Sequence, residues 1–126
     1  MAQFGFDEDG SEYLPAHYPR NCTAYTGTHD NTTAKAWAKQ LPKDRKRYFR
    51  SEVGKSFWET DAHALVRSVL ESDALLAVVP IQDYMEIGTE GRINVPSTLG
   101  GNWTWKLPRQ YERFAKHIAA FRAARV

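Results

Sequence analysis

The sequence predicts an α/β fold that is rich in helix. Residues 22–25 form a short run of Cys, Thr, Ala and Tyr that favours extended backbone, and residues 74–79 form an apolar run of strand length that stops at Pro80. Segments with helical periodicity lie between these runs and after the second one. Strands that alternate with helices indicate βα units, and two or three such units are what one side of a (β/α)8 barrel supplies.

The first predicted strand leads into a small-residue turn that carries a His-Asp pair. Residues 25–33 read YTGTHDNTT, and either Asn31 or Thr32 is expected to cap the helix that follows. Ligands of α/β proteins meet the chain at the carboxyl ends of strands. The pair His29 and Asp30 is therefore well placed for chemistry.

Three further helices are predicted from hydrophobic spacing. One begins after Pro42 and carries a basic face, which a solvated helix surface explains better than a nucleic-acid patch. A second runs from residue 59 or 60 to residue 72, with Thr60 as its expected cap. The last covers residues 109–122, with Pro108 before its first turn.

Several residues are expected in the core. The apolar run 74–79 is typical of a strand buried on both faces in a parallel sheet. Phe57 and Trp58 are expected to bury area at the junction before a helix. Cys22 is the single cysteine, which excludes an internal disulfide and a cysteine-rich zinc site, and it is expected to be a small buried residue.

Composition narrows the class of protein. A chain of 126 residues with 42% hydrophobic and 25% charged residues is ordinary for at most one soluble globular domain. A net charge of +2 gives no reason to expect a nucleic-acid or membrane partner, and no apolar run approaches the roughly 18 residues of a membrane span. The first residues lack the basic and apolar regions of a signal peptide, so a cytoplasmic location is expected.

A loop of unusual length is predicted over residues 82–105. It combines five glycines and prolines with carboxylates, an Arg, two Asn and two Trp, and long loops of this kind tend to be functional. Glu90 and Arg92 are expected to form an ion pair that braces this loop. Asn94 is a polar group able to bind a hydroxyl.

Six segments carry a resemblance to a known family. They are YTGTHDN at 25–31, VVPIQD at 78–83, the E-x-R-x-N-x-P-x-T pattern at 90–98, GNWTWKL at 101–107, and the opening text at 3–7 and 13–21. In this order they resemble the 4-α-glucanotransferases, also called amylomaltases or disproportionating enzymes, of glycoside hydrolase family 77. The resemblance covers nearly the whole chain and corresponds to the C-terminal quarter of the family.

The resemblance implies a fragment of a (β/α)8 TIM barrel. Residues 22–26 would be the seventh strand, 74–79 the eighth and 109–122 the closing helix, so the chain would hold the last two units, roughly β7-α7-β8-α8. Residues 1–126 are then the C-terminal part of the catalytic barrel, and no complete independent domain is expected, because a barrel needs about 250 residues. A truncated gene, a split-enzyme subunit and an excised piece remain open.

The resemblance also implies a reaction. These enzymes transfer α-1,4-glucan segments between maltooligosaccharides by a retaining double displacement that needs a carboxylate nucleophile and an acid/base. Both of those residues lie upstream of this region in the family. Asp30 matches the third catalytic carboxylate, which stabilises the transition state, and His29 and Asn94 match substrate-binding positions. No cofactor and no metal are implied.

Other interpretations stay open at this stage. Asp30 as a plain helix cap, with His29 as an ordinary loop residue, would remove the residue-level argument for catalysis. The chain could instead be a catalytically inactive glucan-binding fragment, or a subunit that completes the barrel of a partner. The expected partners are an α-1,4-glucan and either the missing upstream part of the barrel or a second copy of the chain, because exposed strand edges favour association.

Overall fold

The computed structural model describes residues 1–109, 111–115, 118 and 119. Two strands, β1 (Thr23–Tyr25) and β2 (Leu76–Val78), pair in parallel, with Ala24 opposite Ala77. The α-helices of the described residues are α1 (Ala34–Gln40), α2 (Lys43–Glu52), α3 (Asp61–Leu70) and α4 (Ile81–Tyr84). Short 3₁₀ turns cover Ala2–Phe6, Ser11–Tyr13, Pro15–His17, Thr89–Gly91 and Tyr111–Phe114.

The predicted order of elements is largely confirmed. Both strands form inside the predicted runs, and α2 and α3 form where the hydrophobic spacing placed them. The long loop contains α4 and one 3₁₀ turn but is otherwise irregular. Of the helix predicted over 109–122, Tyr111–Phe114 forms a 3₁₀ turn, whereas residues 110, 116, 117 and 120–126 lie outside the described part.

Side-chain caps begin two of the helices. Thr60 caps α3 as predicted, because its Oγ1 accepts a hydrogen bond from the His63 N–H at 3.1 Å. Helix α1 is capped by Thr33, which accepts from the Ala36 N–H at 3.3 Å. The prediction of Asn31 or Thr32 as the cap is therefore wrong by one or two residues.

The core lies between α1, α2, α3 and the first 3₁₀ turn. Phe6 packs edge-to-face on Phe49 with ring centroids 4.9 Å apart, and Trp37 packs on Phe49 at 5.2 Å. The predicted apolar face of α3 is buried, and its members are Ala62, Leu65, Val66, Val69 and Leu70. Cys22 is only partly buried, against the edge of this core.

Two burial predictions are wrong. The second strand is not buried on both faces, since Leu76 is 55% and Val78 41% exposed and, in the residues described, no element covers them. Phe57 and Trp58 are 96% and 86% exposed. Their turn is closed by its own hydrogen bond, from Glu59 N–H to Ser56 O at 3.2 Å, and its side chains project outward.

The sheet positions the site. Because the two strands run parallel, their carboxyl ends lie at the same edge, and the segments that follow them, residues 26–33 and 79–95, meet there. Across the described ranges, none of the helices has the length and apolar character needed to cross a membrane.

Candidate functional site

Asp83 joins the two segments beneath the site. Its Oδ2 accepts a hydrogen bond from Thr26 Oγ1 at 2.6 Å, and its Oδ1 accepts from the Ala34 N–H at 2.8 Å. The carboxyl group is only 3% exposed, and burial raises its pKa although both hydrogen bonds act in the opposite direction. Asp83 thereby fixes the end of β1, the start of α1 and helix α4 to one another.

A tight turn after β1 presents the His-Asp pair. The Asn31 side-chain oxygen accepts from the Thr28 N–H at 3.0 Å and from Thr28 Oγ1 at 2.7 Å. The Asn31 N–H closes the turn on Thr28 O at 3.1 Å. Asn31 therefore holds the turn rather than capping the helix, and this explains why the cap falls to a later residue.

The start of this turn has no room for a larger residue at Gly27. A Cβ atom there would lie 2.8 Å from Gln3 Nε2. Gln3 is buried and donates that same N–H group to Thr32 O at 3.1 Å. Gly27 therefore lets the N-terminal segment tie down the backbone behind His29 and Asp30.

The loop after β2 contacts the turn after β1 and forms hydrogen bonds with Asp30. Asn94 Nδ2 donates to Asp30 Oδ1 at 2.6 Å, and the Asn94 N–H donates to His29 O at 3.1 Å. Arg92 donates to Asp30 O at 2.7 Å and to Asn94 O at 2.9 Å. The structure thus brings together all three residues that the sequence singles out, His29, Asp30 and Asn94.

His29 lies beside both Asp30 and an exposed indole. Its Nε2 is 3.4 Å from Asp30 Oδ1, and both side chains are about half exposed. The His29 and Trp103 ring centroids are 4.9 Å apart. Trp103 has φ 60°, an uncommon value for a non-glycine residue, and its N–H donates to Ile93 O at 2.8 Å. Polar groups and an aromatic face therefore share one solvent-facing surface.

The geometry corrects two interpretations of these residues. Asp30 is not the helix cap, because Thr33 holds that position and Asp30 bonds to Asn94. Glu90 and Arg92 do not form the predicted ion pair. Glu90 turns back onto the Gly88 N–H at 3.1 Å, while Arg92 uses its guanidinium on backbone oxygens.

Sequence reasoning misses the parts played by Asp83 and Arg92. Each contacts a residue at least 49 positions away, and no local pattern encodes such a contact. The tryptophans of the sequence divide by environment. Trp37 belongs to the core, Trp105 is half-buried, and Trp103 faces the site.

The cleft beside His29 is small in this chain. Its described walls include Thr28, Thr33, Gln82 and Arg92, and they enclose about 40 Å³, the room of one or two water molecules. Within the described ranges, no group of three or more His, Cys, Asp or Glu side chains is arranged to hold a metal. The chemistry that this surface offers is hydrogen bonding from a carboxylate, an imidazole and an amide next to an indole.

Comparisons with known proteins identify the family. Residues 1–111 match the family described as 4-alpha-glucanotransferase. The chain is 40% identical over 109 residues to the 4-alpha-glucanotransferase of Streptococcus pneumoniae serotype 4, a match that covers 85% of this chain and 22% of that protein. It is 39% identical over 116 residues to the 4-alpha-glucanotransferase of Thermus thermophilus, covering 85% of this chain and 23% of that protein.

A solved structure shows the same fold. Amylomaltase from Streptococcus agalactiae in complex with acarbose superposes with a TM-score of 0.90 at 27% sequence identity, over 98% of this chain and 25% of that one. The chain therefore spans about a fifth to a quarter of the length of the proteins that it matches. Its helix-rich α/β fold is that of part of an amylomaltase, and the chain belongs to the 4-alpha-glucanotransferase family.

Proposed function

We propose that this chain is the C-terminal part of the catalytic barrel of a 4-α-glucanotransferase, which transfers α-1,4-glucan segments between maltooligosaccharides. The observation that carries the proposal is the 2.6 Å hydrogen bond between Asn94 and Asp30, at the tip of two segments that follow neighbouring parallel strands. A (β/α)8 barrel builds its active site at this end of its strands. Strands β1 and β2 would be the seventh and eighth of that barrel.

Asp30 would bind hydroxyls of the sugar at the cleavage site. Its Oδ1 is held by Asn94, and among the described residues no hydrogen bond reaches its Oδ2. One oxygen is thereby fixed while the other is left to accept from a sugar. Such a contact strengthens as the sugar ring flattens and positive charge develops. It therefore lowers the free energy of the transition state more than that of the bound substrate.

His29 and Trp103 would complete this sugar-binding surface. The imidazole is near enough to Asp30 to reach hydroxyls of the same ring, and the indole packed on it presents an apolar face. The related amylomaltase forms a complex with acarbose, which supports an oligosaccharide as the class of ligand. The opposing walls of the sugar site would come from other parts of the full-length enzyme, since the walls described here enclose about 40 Å³.

The nucleophile and the acid/base would also come from outside this chain. A retaining transferase needs two carboxyl groups about 5 Å apart on either side of the scissile bond. Asp83 is buried with both oxygens hydrogen-bonded, and Glu90 is folded onto its own backbone segment, so neither is available for that task. The chain alone would then be inactive and would act by completing a barrel.

The test joins this sequence to the upstream part of a close relative and changes Asp30. In the joined enzyme, Asp30→Asn should lower kcat by roughly 10²- to 10⁴-fold and change KM little, because a preorganised charged contact made chiefly in the transition state is lost. Steady-state disproportionation of maltotriose measures both constants. His29→Ala should cost less, and the two losses should not add, because both residues hold one ring.

Two controls sharpen this experiment. Asp30→Asn keeps the size of the side chain, so unfolding of the joined enzyme should be unchanged within about 0.5 kcal/mol. The unmodified 126-residue chain should form neither glucose nor longer oligosaccharides from maltotriose. Near-normal kcat in the Asp30→Asn enzyme would reject the role proposed for Asp30.

A further inference from the structure

We propose that a second cleft, remote from Asp30, binds a glucan chain. It opens beside the turn between α2 and α3, and we name it the Trp58 cleft after its exposed wall. Its lining includes Trp58, Glu59, Thr60, His63, Arg67 and Glu86, and its volume of about 510 Å³ lies in the range of small-molecule sites. The proposal takes its ligand class from the proposed function.

The aromatic wall of the cleft is held by a rigid turn. The Ser56 N–H donates to Glu59 Oε2 at 3.3 Å within the turn. Arg67 of α3 donates to Val53 O at 2.8 Å and to Glu59 Oε1 at 2.8 Å, so both ends of the turn are tied to α3. Trp58 nevertheless leaves 86% of its surface in water. A large aromatic side chain that is exposed on a fixed backbone can contact a ligand with little loss of conformational entropy.

The floor of the cleft is a fixed ion pair. Glu59 Oε1 accepts from Arg67 Nε at 2.8 Å and lies 2.6 Å from His63 Nδ1. The Glu59 side chain is 5% exposed, and its contacts to Arg67, His63 and Ser56 occupy both oxygens. Glu59 therefore shapes the floor and holds Arg67 and His63 in position.

Glu86 supplies the polar wall of the cleft from the turn that ends α4. Its φ is 51°, in the left-handed region where glycine is favoured, and its Oε1 accepts from Thr60 Oγ1 at 2.8 Å. This φ belongs to the turn that ends α4, in which the Ile87 N–H donates to Gln82 O at 2.9 Å. The same loop continues to Arg92 and Asn94, so it contributes residues both to the Trp58 cleft and to the site around Asp30.

The lining suits a ligand that combines an apolar face with hydroxyl groups. The lining holds two carboxylates, Glu59 and Glu86, and one guanidinium, Arg67, so it offers no attraction to an anionic ligand. An indole face offers stacking to the C–H face of a sugar ring, and the Glu86 carboxylate accepts hydroxyl hydrogens. An α-1,4-glucan combines these two properties and is long enough to occupy a second site.

The test measures binding of maltoheptaose by isothermal titration calorimetry to the 126-residue chain carrying Asp30→Asn. This background removes the carboxylate of the other site, so the result does not depend on the role proposed for Asp30. Trp58→Ala should weaken binding about tenfold or more, a loss of about 1.4 kcal/mol. Phe57→Ala is the matched control, because Phe57 is equally exposed but does not line the cleft, and it should change the affinity less than twofold.

A second variant guards against a folding artefact. Glu86→Gly relieves the positive φ while removing the carboxylate, so it should weaken maltoheptaose binding without lowering the denaturant midpoint of unfolding. Equal affinity in the Trp58→Ala and Phe57→Ala chains would overturn the proposal, as would no binding of maltoheptaose in the Asp30→Asn chain. A change in sedimentation with Trp58→Ala and none in affinity would also overturn it, since the surface would then bind a second copy.

Discussion

Individual charged residues in this chain have two contrasting environments. Asp30 is half exposed and holds one hydrogen bond to its carboxylate, which leaves it able to meet a ligand. Glu59 is nearly buried and fully hydrogen-bonded. Burial disfavours its charge, but hydrogen bonds from Arg67, His63 and the Ser56 N–H outweigh burial and lower its pKa to about 2. Glu59 is therefore a structural carboxylate.

The lowered pKa of Glu59 predicts acid sensitivity. A carboxyl group whose pKa falls from 4.5 to about 2 on folding stabilises the fold fully above pH 4.5 and loses that contribution as pH falls toward 2. Glu59→Gln should lower the free energy of unfolding at pH 7 by about 2 to 3 kcal/mol, and the difference from the unchanged chain should shrink between pH 4.5 and 2. Urea unfolding at several pH values measures this.

A neighbouring carboxylate provides the control for that experiment. Glu71 also pairs with Arg67, at 2.8 Å, but its side chain is 44% exposed. Exposed pairs contribute little, so Glu71→Gln should change the free energy of unfolding by less than about 1 kcal/mol. Equal effects of the two substitutions at pH 7 would contradict the structural role given to Glu59.

The sequence reveals some of the site at this scale. His29 and Asp30 stand out because they lie in a turn-forming segment that follows a strand-like run. Both features can be recognised from residues that are adjacent in the sequence. The hydrogen bond from Arg92 to Asp30 joins residues 62 positions apart in the sequence, and the one from Asn94 to Asp30 joins residues 64 positions apart. Only the folded chain shows such contacts, and for this reason the sequence predicts the wrong partner, Glu90, for Arg92.

Secondary-structure elements at the sheet edge depend on one buried carboxylate. Asp83 links Thr26 at the end of β1 with Ala34 at the start of α1, while it lies itself in α4. Both of its partners are donors that would be left unsatisfied without it. Contacts at 2.6 and 2.8 Å in a buried setting make Asp83 the junction of three elements.

Replacing Asp83 tests this junction. Asp83→Ala leaves the Thr26 hydroxyl and the Ala34 N–H buried without a partner, so the free energy of unfolding should fall by roughly 2 to 5 kcal/mol. Asp83→Asn retains an oxygen for the Ala34 N–H and an N–H group for Thr26 Oγ1, and it removes the cost of burying a charge, so it should cost about 1 kcal/mol or less. Chemical denaturation of the two variants distinguishes them. Similar stability of both would show that these hydrogen bonds do not hold the elements together.

Helices were more predictable than turns. The apolar residues of α3 recur with the helical period, and each of them is buried as that period requires. Phe57 and Trp58 carry no such period. Their hydrophobicity predicted burial, yet the geometry of a closed turn decides which way they face, and a pattern of residue types does not record that geometry.

At the scale of the whole molecule, the residues that the structure describes leave apolar surface on the sheet uncovered. The described sheet has two strands; Leu76 and Val78 of the second are 55% and 41% exposed, and Leu75 just before it is 69% exposed. The apolar run does form a strand, but its predicted burial on both faces is wrong for the part of the chain that the structure describes. In an α/β barrel such a face is covered by neighbouring elements.

This uncovered face predicts self-association of the isolated chain. Exposed apolar surface and unpaired strand edges favour contact with another copy, so sedimentation velocity should show species heavier than the 14.4 kDa monomer, increasing with protein concentration. Leu76→Lys places a charge on the face and should shift the population to monomer. Leu99→Lys is the matched control, because Leu99 is fully exposed and is not part of the sheet, so its replacement should leave the distribution unchanged.

The same face decides how the chain would act in an enzyme. If β2 is covered by the upstream part of a barrel, mixing the chain with that part should dissociate the self-associated species. The mixture should also recover transfer of glucose units from maltotriose. Leu76→Lys should then weaken this recovery as well, because one charge would be buried against an apolar neighbour without a partner. Leu99→Lys should recover activity as the unchanged chain does. A monodisperse monomer with one sharp unfolding transition, indifferent to Leu76→Lys and to the upstream part, would instead mean that this piece of a barrel is stable with its sheet exposed.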